Sequence, residues 1–261
     1  MKYAKKSLGQ NFLIDKNIIN KIVNLKNIRN KNVIEIGPGK GSLTKEILSK
    51  NPKSLILIEK DFELYRNLKE QYKNNKIVKT FYDDILKFDF SSIKSENLVV
   101  FGNLPYNISS QILIKFIRLK DLKIKINDLI LMFQKELGDK ILGFFPSPSY
   151  GRLSIIRAYK LKIIKKFLVS PNCFFPKPKV TSMVIHFKPI STQKIYINEI
   201  LNLEKITNIF FSNKRKMINK NIKKILGERN IKKIPGLKLN NRPSDLKPEI
   251  FYKITELFEK S

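Results

Sequence analysis

Val33-Ile34-Glu35-Ile36-Gly37-Pro38-Gly39-Lys40-Gly41-Ser42-Leu43-Thr44-Lys45-Glu46-Ile47-Leu48 changes character twice. An apolar, β-branched run gives way to a glycine turn, and the turn to a pattern with helical spacing, which together read strand, turn, helix. Glycines permit positive φ and let a ligand approach the backbone closely, with the amide end of a helix behind it. The spacing is GxGxG, unlike the GxGxxG of a dinucleotide site, and no Walker GK[ST] follows. A second strand, Leu55-Ile56-Leu57-Ile58, ends at Glu59. An acidic side chain about 20 residues beyond such a turn usually grips a ribose diol. An adenosine-bearing ligand fits these features, although singly they also describe an ordinary βαβ corner with a surface glutamate.

Further along, Ile77-Val78-Lys79-Thr80-Phe81 reads as a third strand leading to Asp83-Asp84-Ile85-Leu86. An Asp at that strand tip can accept from the N6 amine of the ligand's adenine while Ile85 packs on the ring. The plainer use of paired Asp is helix capping. A fourth apolar run, Leu98-Val99-Val100-Phe101, feeds Gly102-Asn103-Leu104-Pro105-Tyr106-Asn107, and a helical pattern follows over 109–119. The loop therefore stands at the carboxyl end of a buried strand, where open α/β sheets bind ligands. It offers an amide side chain, a carbonyl beside a fixed proline and an aromatic face, which suit a planar ring carrying an exocyclic NH2. A simple turn is the alternative, since Asn, Gly and Pro favour turns. Four βα units in succession predict a parallel, doubly wound sheet. Residues 128–133 add a buried strand and 134–142 a helix. Residues 181–189 alternate as a final strand, compatible with an antiparallel edge.

The chain has 261 residues, enough for one large domain and a small one. Its 42% hydrophobic content and 18 Phe argue against disorder. No apolar run approaches the length of a membrane span, and no apolar segment follows the basic residues Lys2, Lys5 and Lys6, so no secretory signal is expected. Cys173 is the only cysteine and His186 the only histidine. These counts exclude an internal disulfide and give no support to a Cys/His metal site or a Ser-His-Asp triad. A cytoplasmic protein that needs no metal is the expectation.

Lys and Arg number 52 against 22 Asp and Glu, a formal charge of +30, which predicts attraction to a polyanion. The chain is also rich in Lys, Asn and Ile generally, so the position of the charge says more than its total. Residues 1–31 carry eight basic side chains against Asp15 alone; Asp15 reads as the N-cap of a helix presenting Ile18, Ile19, Ile22 and Val23. Residues 157–179 carry seven basic side chains and no acid. They end in Phe174-Phe175-Pro176-Lys177-Pro178-Lys179, a proline-stiffened stretch whose mixed rings and cations suit an unstacked base. From about residue 191 helical patterns replace strands. Residues 205–233 hold ten basic residues and only Glu228, with Ile206, Ile209, Phe210, Ile218, Ile222 and Ile225 at helical spacing and Gly227 as a C-cap candidate. A nearly acid-free basic surface on packed helices favours phosphate contact over a solvated face.

These motifs, in this order, resemble those of the ribosomal RNA adenine dimethyltransferases, and specifically the small-subunit (16S) dimethyladenosine enzymes. The likeness runs nearly end to end. It comprises Gln10–Leu13, Glu35–Thr44, Glu59, Asp84, Gly102–Ser109, Tyr150-Gly151-Arg152-Leu153-Ser154, Phe174–Ser182 and Arg242-Pro243. It implies a Rossmann-like, seven-stranded S-adenosylmethionine-dependent methyltransferase domain over 1–190, followed by a small all-α, rRNA-binding domain over 191–261. It places the cofactor at Asn11, Leu13, Gly37, Glu59, Asp84 and Asn103, and extends to Gly39 and Ile85. The target adenine falls to Asn103, the Leu104 and Pro105 backbone and Tyr106, with Phe174 stacking. The basic residues Lys214, Arg215, Lys216, Lys220, Lys223 and Lys224 are expected to contact RNA. The implied activity is double methylation of each of two adjacent adenosines near the rRNA 3′ end, in the immature small subunit, by a monomer. A large-subunit rRNA enzyme or a non-catalytic RNA-binding assembly or transcription factor on the same fold would share parts of this pattern. Asp83 stands where the family often has Gly, Arg157 where Gln is common, and Lys214 and Lys216 in an element usually richer in Arg. Lysine gives a point charge where arginine gives a bidentate fork, so weaker RNA affinity is expected.

Overall fold

The computed structural model describes residues 10–261; Gly9 and the basic residues Lys2, Lys5 and Lys6 lie outside the described residues. The chain forms two compact units. One is everything described up to Gly138 with Ile163–Pro189; the other is Asp139–Lys162 with Ile190–Ser261. Residues 139–162 thus group with the C-terminal helices, although the last strands of the first unit follow them in sequence.

The first unit opens with β1 (Phe12–Leu13) and α1 (Lys16–Val23). As the sequence predicts, Asp15 caps α1, accepting the Ile18 amide at 2.9 Å. Strands and helices then alternate through β2 (Asn32–Ile36), α2 (Ser42–Ser49), β3 (Ser54–Glu59), α3 (Phe62–Gln71), β4 (Val78–Tyr82), β5 (Leu98–Asn103), α4 (Ser109–Arg118), α5 (Leu122–Lys125) and β6 (Ile126–Gln134). After α6 (Lys135–Leu142) and α7 (Arg152–Lys160) come β7 (Leu161–Val169), β8 (Phe174–Phe175) and β9 (Ser182–Pro189).

Seven strands make one sheet in the order β4-β3-β2-β5-β6-β9-β7. The contacts from β4 to β6 are parallel and β9 runs antiparallel to β6. The order in which strands are added reverses between β2 and β5, so their carboxyl ends, at Ile36 and Asn103, flank the crevice where such sheets bind ligands. Both strands are buried nearly throughout, as a sheet covered on both faces demands.

Several sequence expectations are corrected. A 3-10 turn at Phe90–Ser92, not an α-helix, lies between β4 and β5; Asp89 stabilises it by accepting the Ser91 amide at 2.9 Å. The basic stretch after residue 157 contains β7, which takes the sheet edge. Its lysines hide the alternation because an edge strand leaves Lys162, Lys165 and Lys166 in solvent. The strand expected at the edge, β9, is consequently one place inside, and Ser182–Phe187 are continuously buried with no alternation. The sole histidine, His186, sits in β9 with Nε2 2.7 Å from Asp128 of β6, and Lys26 reaches the same carboxylate at 2.9 Å. It is a buried strut between strands.

The second unit adds α8 (Ile200–Phe211), α9 (Asn219–Ile225), α10 (Glu228–Ile231) and α11 (Pro248–Glu259). Phe210 meets Phe251 edge-on at 5.7 Å, and Tyr150 Oη donates to the Leu246 carbonyl at 2.8 Å. The start of α8 lacks a capping side chain of its own; Glu259 of α11 serves, accepting the Asn198 and Glu199 amides at 2.7 and 3.0 Å. Gly227 is not a left-handed C-cap: α9 ends at Ile225, Leu226 turns extended and is buried, and Gly227 begins α10 at φ −64°. Arg157 is buried and donates to the carbonyls of Ile141 and Leu161 at 3.1 and 3.4 Å. Among the described residues, no helix is long and apolar enough to cross a membrane, and no group of three or more His, Cys, Asp or Glu side chains is placed to hold a metal ion.

Candidate active site

The carboxyl ends of β2, β3 and β5 open on a cleft of about 180 Å³ in the first unit. Its floor is the glycine turn, where Gly37 and Gly39 adopt φ +62° and +59°. A side chain at Gly39 would be doubly penalised, because its Cβ would also stand 3.0 Å from the Phe12 ring. Phe12 lies on the turn with Lys40 Nζ 4.8 Å from its ring centre. It is held there by β1, which pairs with β8 so that Phe12 faces Phe175 and Leu13 faces Phe174. Two motifs far apart in sequence, Gln10–Leu13 and the Phe-Phe-Pro stretch, thereby become one ribbon.

Acidic groups surround the turn. Glu35 is 1% exposed; Thr44 Oγ1 donates to its Oε2 at 2.6 Å, while Oε1 has no hydrogen-bond partner. Burial pushes its carboxyl up to about 8, against the Thr44 bond and with help from the nearby Glu59 charge. Glu59, at the tip of β3, accepts the Gly39 amide at 3.1 Å and the Asp61 amide at 2.8 Å. Burial raises it as well, and these amides oppose the rise. Asp61, not singled out from sequence, caps α3 by accepting the Glu63 and Leu64 amides, and also accepts from Gln10 Nε2 at 3.3 Å. Its signal was available as an acid directly before a helical pattern. Asp84 pairs with Lys60 at 2.7 Å and accepts the Leu86 amide at 2.9 Å. Burial alone would raise its carboxyl, but these bonds and the Lys60 and Lys87 charges hold it below the usual range. Ile85 is buried and lines the cleft, as do Asn11, Leu13, Gly37, Gly39, Glu59 and Asp84.

Asn103 ends β5 at the wall of this cleft, followed by Leu104, Pro105 and Tyr106. Its Nδ2 donates to the Asn11 carbonyl at 2.9 Å, which fixes the amide and leaves Oδ1 as the acceptor end. Tyr106 Oη and Ser182 Oγ are 2.6 Å apart; burial raises the phenol, and the Ser182 bond opposes this. In the loop, the Pro105 carbonyl accepts the Ile108 amide and the Tyr106 carbonyl accepts Ser109 Oγ. Leu104, between Asn103 and Pro105, is itself buried at 2% exposure. Phe174 does not line the cleft: it is 3% exposed and belongs to the core, whereas Phe175 beside it is 52% exposed. In the second unit Lys214, Arg215 and Lys216 occupy the turn between α8 and α9, with Lys220, Lys223 and Lys224 on α9, all exposed.

A model of the family described as ribosomal RNA adenine dimethylase matches residues 1–260. The chain belongs to that family. A ribosomal RNA small subunit methyltransferase A of Pelagibacter ubique is 44% identical over 257 residues, 98% of this chain and 97% of the relative. One of the same description from Francisella tularensis subsp. novicida is 41% identical over 87% of each chain. Among solved structures, a dimethyladenosine transferase from Plasmodium falciparum superposes with a TM-score of 0.78 at 25% identity, over 95% of this chain and 98% of that one. The 23S rRNA methyltransferase ErmE shares the fold, with a TM-score of 0.71 at 21% identity over 95% and 100%. Asp83 uses its side chain locally, accepting the Asp84 amide at 2.7 Å.

Proposed function

We propose that the chain is an S-adenosylmethionine-dependent rRNA adenine-N6,N6 dimethyltransferase. Its substrates are two adjacent adenosines in a hairpin near the 3′ end of small-subunit (16S) rRNA, presented by the immature small subunit in the cytoplasm, and it acts as a monomer. The observation that carries this reading is the Asn103 amide, fixed by Asn11 at the wall of the cleft in a chain of the rRNA adenine dimethylase family.

The residues suit the cofactor. Glycines in the turn let a ligand approach the backbone closely, Glu35 Oε1 is a buried polar atom without a hydrogen-bond partner, and Glu59 and Asp84 add acid for a ligand with hydroxyls and positive charge. Asn11, Leu13, Gly37, Gly39, Glu59, Asp84, Ile85 and Asn103 would hold it. When bound, S-adenosylmethionine supplies a methyl group already activated as an electrophile on a sulfonium.

The adenine N6 lone pair is delocalised into its ring and is a poor nucleophile. Asn103 Oδ1 and the Leu104 carbonyl would accept its two N–H bonds, which favours a pyramidal nitrogen with its lone pair directed at the methyl. Tyr106, tied to Ser182, would fix one face of the base once the base has left its stack, and Phe174 would meet the other only by giving up its cover in the core. No strong base is required, since the cationic amine product sheds its proton readily. Positioning is the main device. Lys214, Arg215, Lys216, Lys220, Lys223 and Lys224 would meet rRNA phosphates.

The test is incubation with labelled cofactor and unmethylated small subunits, followed by nuclease mapping. Dimethyladenosine at two neighbouring positions of the small-subunit rRNA is expected. Label confined to large-subunit rRNA, or its absence from both, overturns the reading.

A further inference from the structure

Three aromatic rings gather at the sheet edge formed by β4 and the helix packed beside it, on residues that do not line the cleft. Tyr82 of β4 lies 5.3 Å from Phe62 and 5.5 Å from Tyr65 of α3, and Phe62 and Tyr65 are 6.4 Å apart. The cluster is not a piece of core: Phe62 is 51% exposed and Tyr82 56%. Contiguous exposed rings of this kind mark an interaction site. Arg66 and Lys69, one helical turn on, complete the face. The Arg66 guanidinium stands 5.9 Å from the Phe62 ring and Lys69 Nζ 5.6 Å from that of Tyr65. These distances lie at the outer limit of cation–π attraction, so turning either cation from its ring to an anion costs little. Glu63 and Glu70 stand three and four residues from Arg66 on the same helix, and Glu70 is tied to Lys73.

We propose that this face is a second RNA contact, a platform on which unpaired bases of the rRNA substrate stack while Arg66 and Lys69 take the adjoining phosphates. The chemistry is specific to that partner. Rings offer every base a π-face regardless of sequence, and flanking cations follow the backbone. The charge at the rings suits that partner, since Arg66 and Lys69 flank them in a chain of the rRNA adenine dimethylase family, and the proposal rests on that rRNA reading. The rings touch neither the glycine turn nor Asn103, so their loss separates RNA affinity from cofactor affinity.

The experiment compares wild type with Phe62→Leu/Tyr82→Leu, which keeps apolar bulk and removes the π-faces, and with Arg66→Gln/Lys69→Gln, which alters only exposed helix positions. Binding of a fluorescent single-stranded RNA oligonucleotide is followed by anisotropy across a salt series, with cofactor affinity by calorimetry in parallel. The ring variant is expected to bind RNA about tenfold more weakly with unchanged cofactor Kd. The charge variant should flatten the slope of log K against log salt by about 1.4. Irradiation of wild type on 4-thiouridine RNA should crosslink Tyr65 or Tyr82, a readout independent of any variant's folding. RNA affinity within twofold of wild type in both variants, or no crosslink on either tyrosine, overturns the proposal. So does a concentration-dependent wild-type dimer in sedimentation that the ring variant abolishes, because the face would then serve a second copy of the chain.

Discussion

At Asn103 one hydrogen bond decides which end of an amide faces the chemistry. Donation from Nδ2 to the Asn11 carbonyl commits the nitrogen and presents the oxygen. On the proposed mechanism, replacing Asn103 with Ala removes an acceptor for the reacting amine. Single-turnover methylation should therefore slow by at least about a hundredfold, the scale of losing one preorganised polar group, while calorimetry finds cofactor affinity within tenfold of wild type. Near wild-type turnover would remove Asn103 from the mechanism. Glu35 makes the opposite case, a group whose burial costs stability. Its folded-state value of about 8 lies above the ordinary 4.5. The folded state therefore holds a proton that the unfolded chain has already released, and stability present below about 4.5 is lost as pH rises to 8. Each unit of such a displacement is worth about 1.4 kcal/mol. Glu35→Gln keeps an acceptor for Thr44 and cannot ionise. Its melting temperature should exceed that of wild type by at least about 5 °C at pH 8, with the gap closing toward pH 4.5. A gap independent of pH would mean that ionisation of Glu35 is not its cause.

At the scale of elements, the two-strand ribbon of β1 and β8 places one aromatic ring in the core and its neighbour in solvent. A stacking role for Phe174 requires that ring to give up cover when a base enters. Phe174→Leu keeps the core filled and loses the ring face, so turnover on RNA should fall about tenfold, within the range of base–aromatic stacking, at a melting temperature within a few degrees of wild type. Phe175→Leu should stay within threefold. The reverse pattern would move the platform one residue along the strand. What made these elements legible differs from case to case. The β2–α2 turn announces itself through β-branched residues running into GxGxG, and Asp15 through its place before an apolar helical stripe. Both signals are local. The bond from Asn103 to Asn11 spans 92 residues and that from Tyr106 to Ser182 spans 76, and no periodicity records contacts of that range. Strand β7 escaped for another reason: an edge strand exposes its lysines, so its composition imitates a loop.

For the whole molecule, charge placement matters more than its sum. The cleft and its ring of acids belong to the first unit, and the nearly acid-free run of residues 205–233 to the second. Within that run, Lys214, Arg215 and Lys216 stand together, all exposed, on the turn between α8 and α9. Neutralising all three should therefore leave the fold and cofactor affinity unchanged and act on RNA alone. Each phosphate contact contributes about 0.7 to 0.9 to the dependence of log K on log salt, so the triple Ala variant should flatten the slope by about 2 to 3. The accompanying loss of affinity should be greatest at low salt and shrink as salt rises, since counterion release is what the variant forfeits. The measurement is a salt titration of rRNA binding by wild type and variant with cofactor affinity in parallel. A slope equal to wild type would assign these three charges to solvent and leave the rest of the basic surface to hold the RNA.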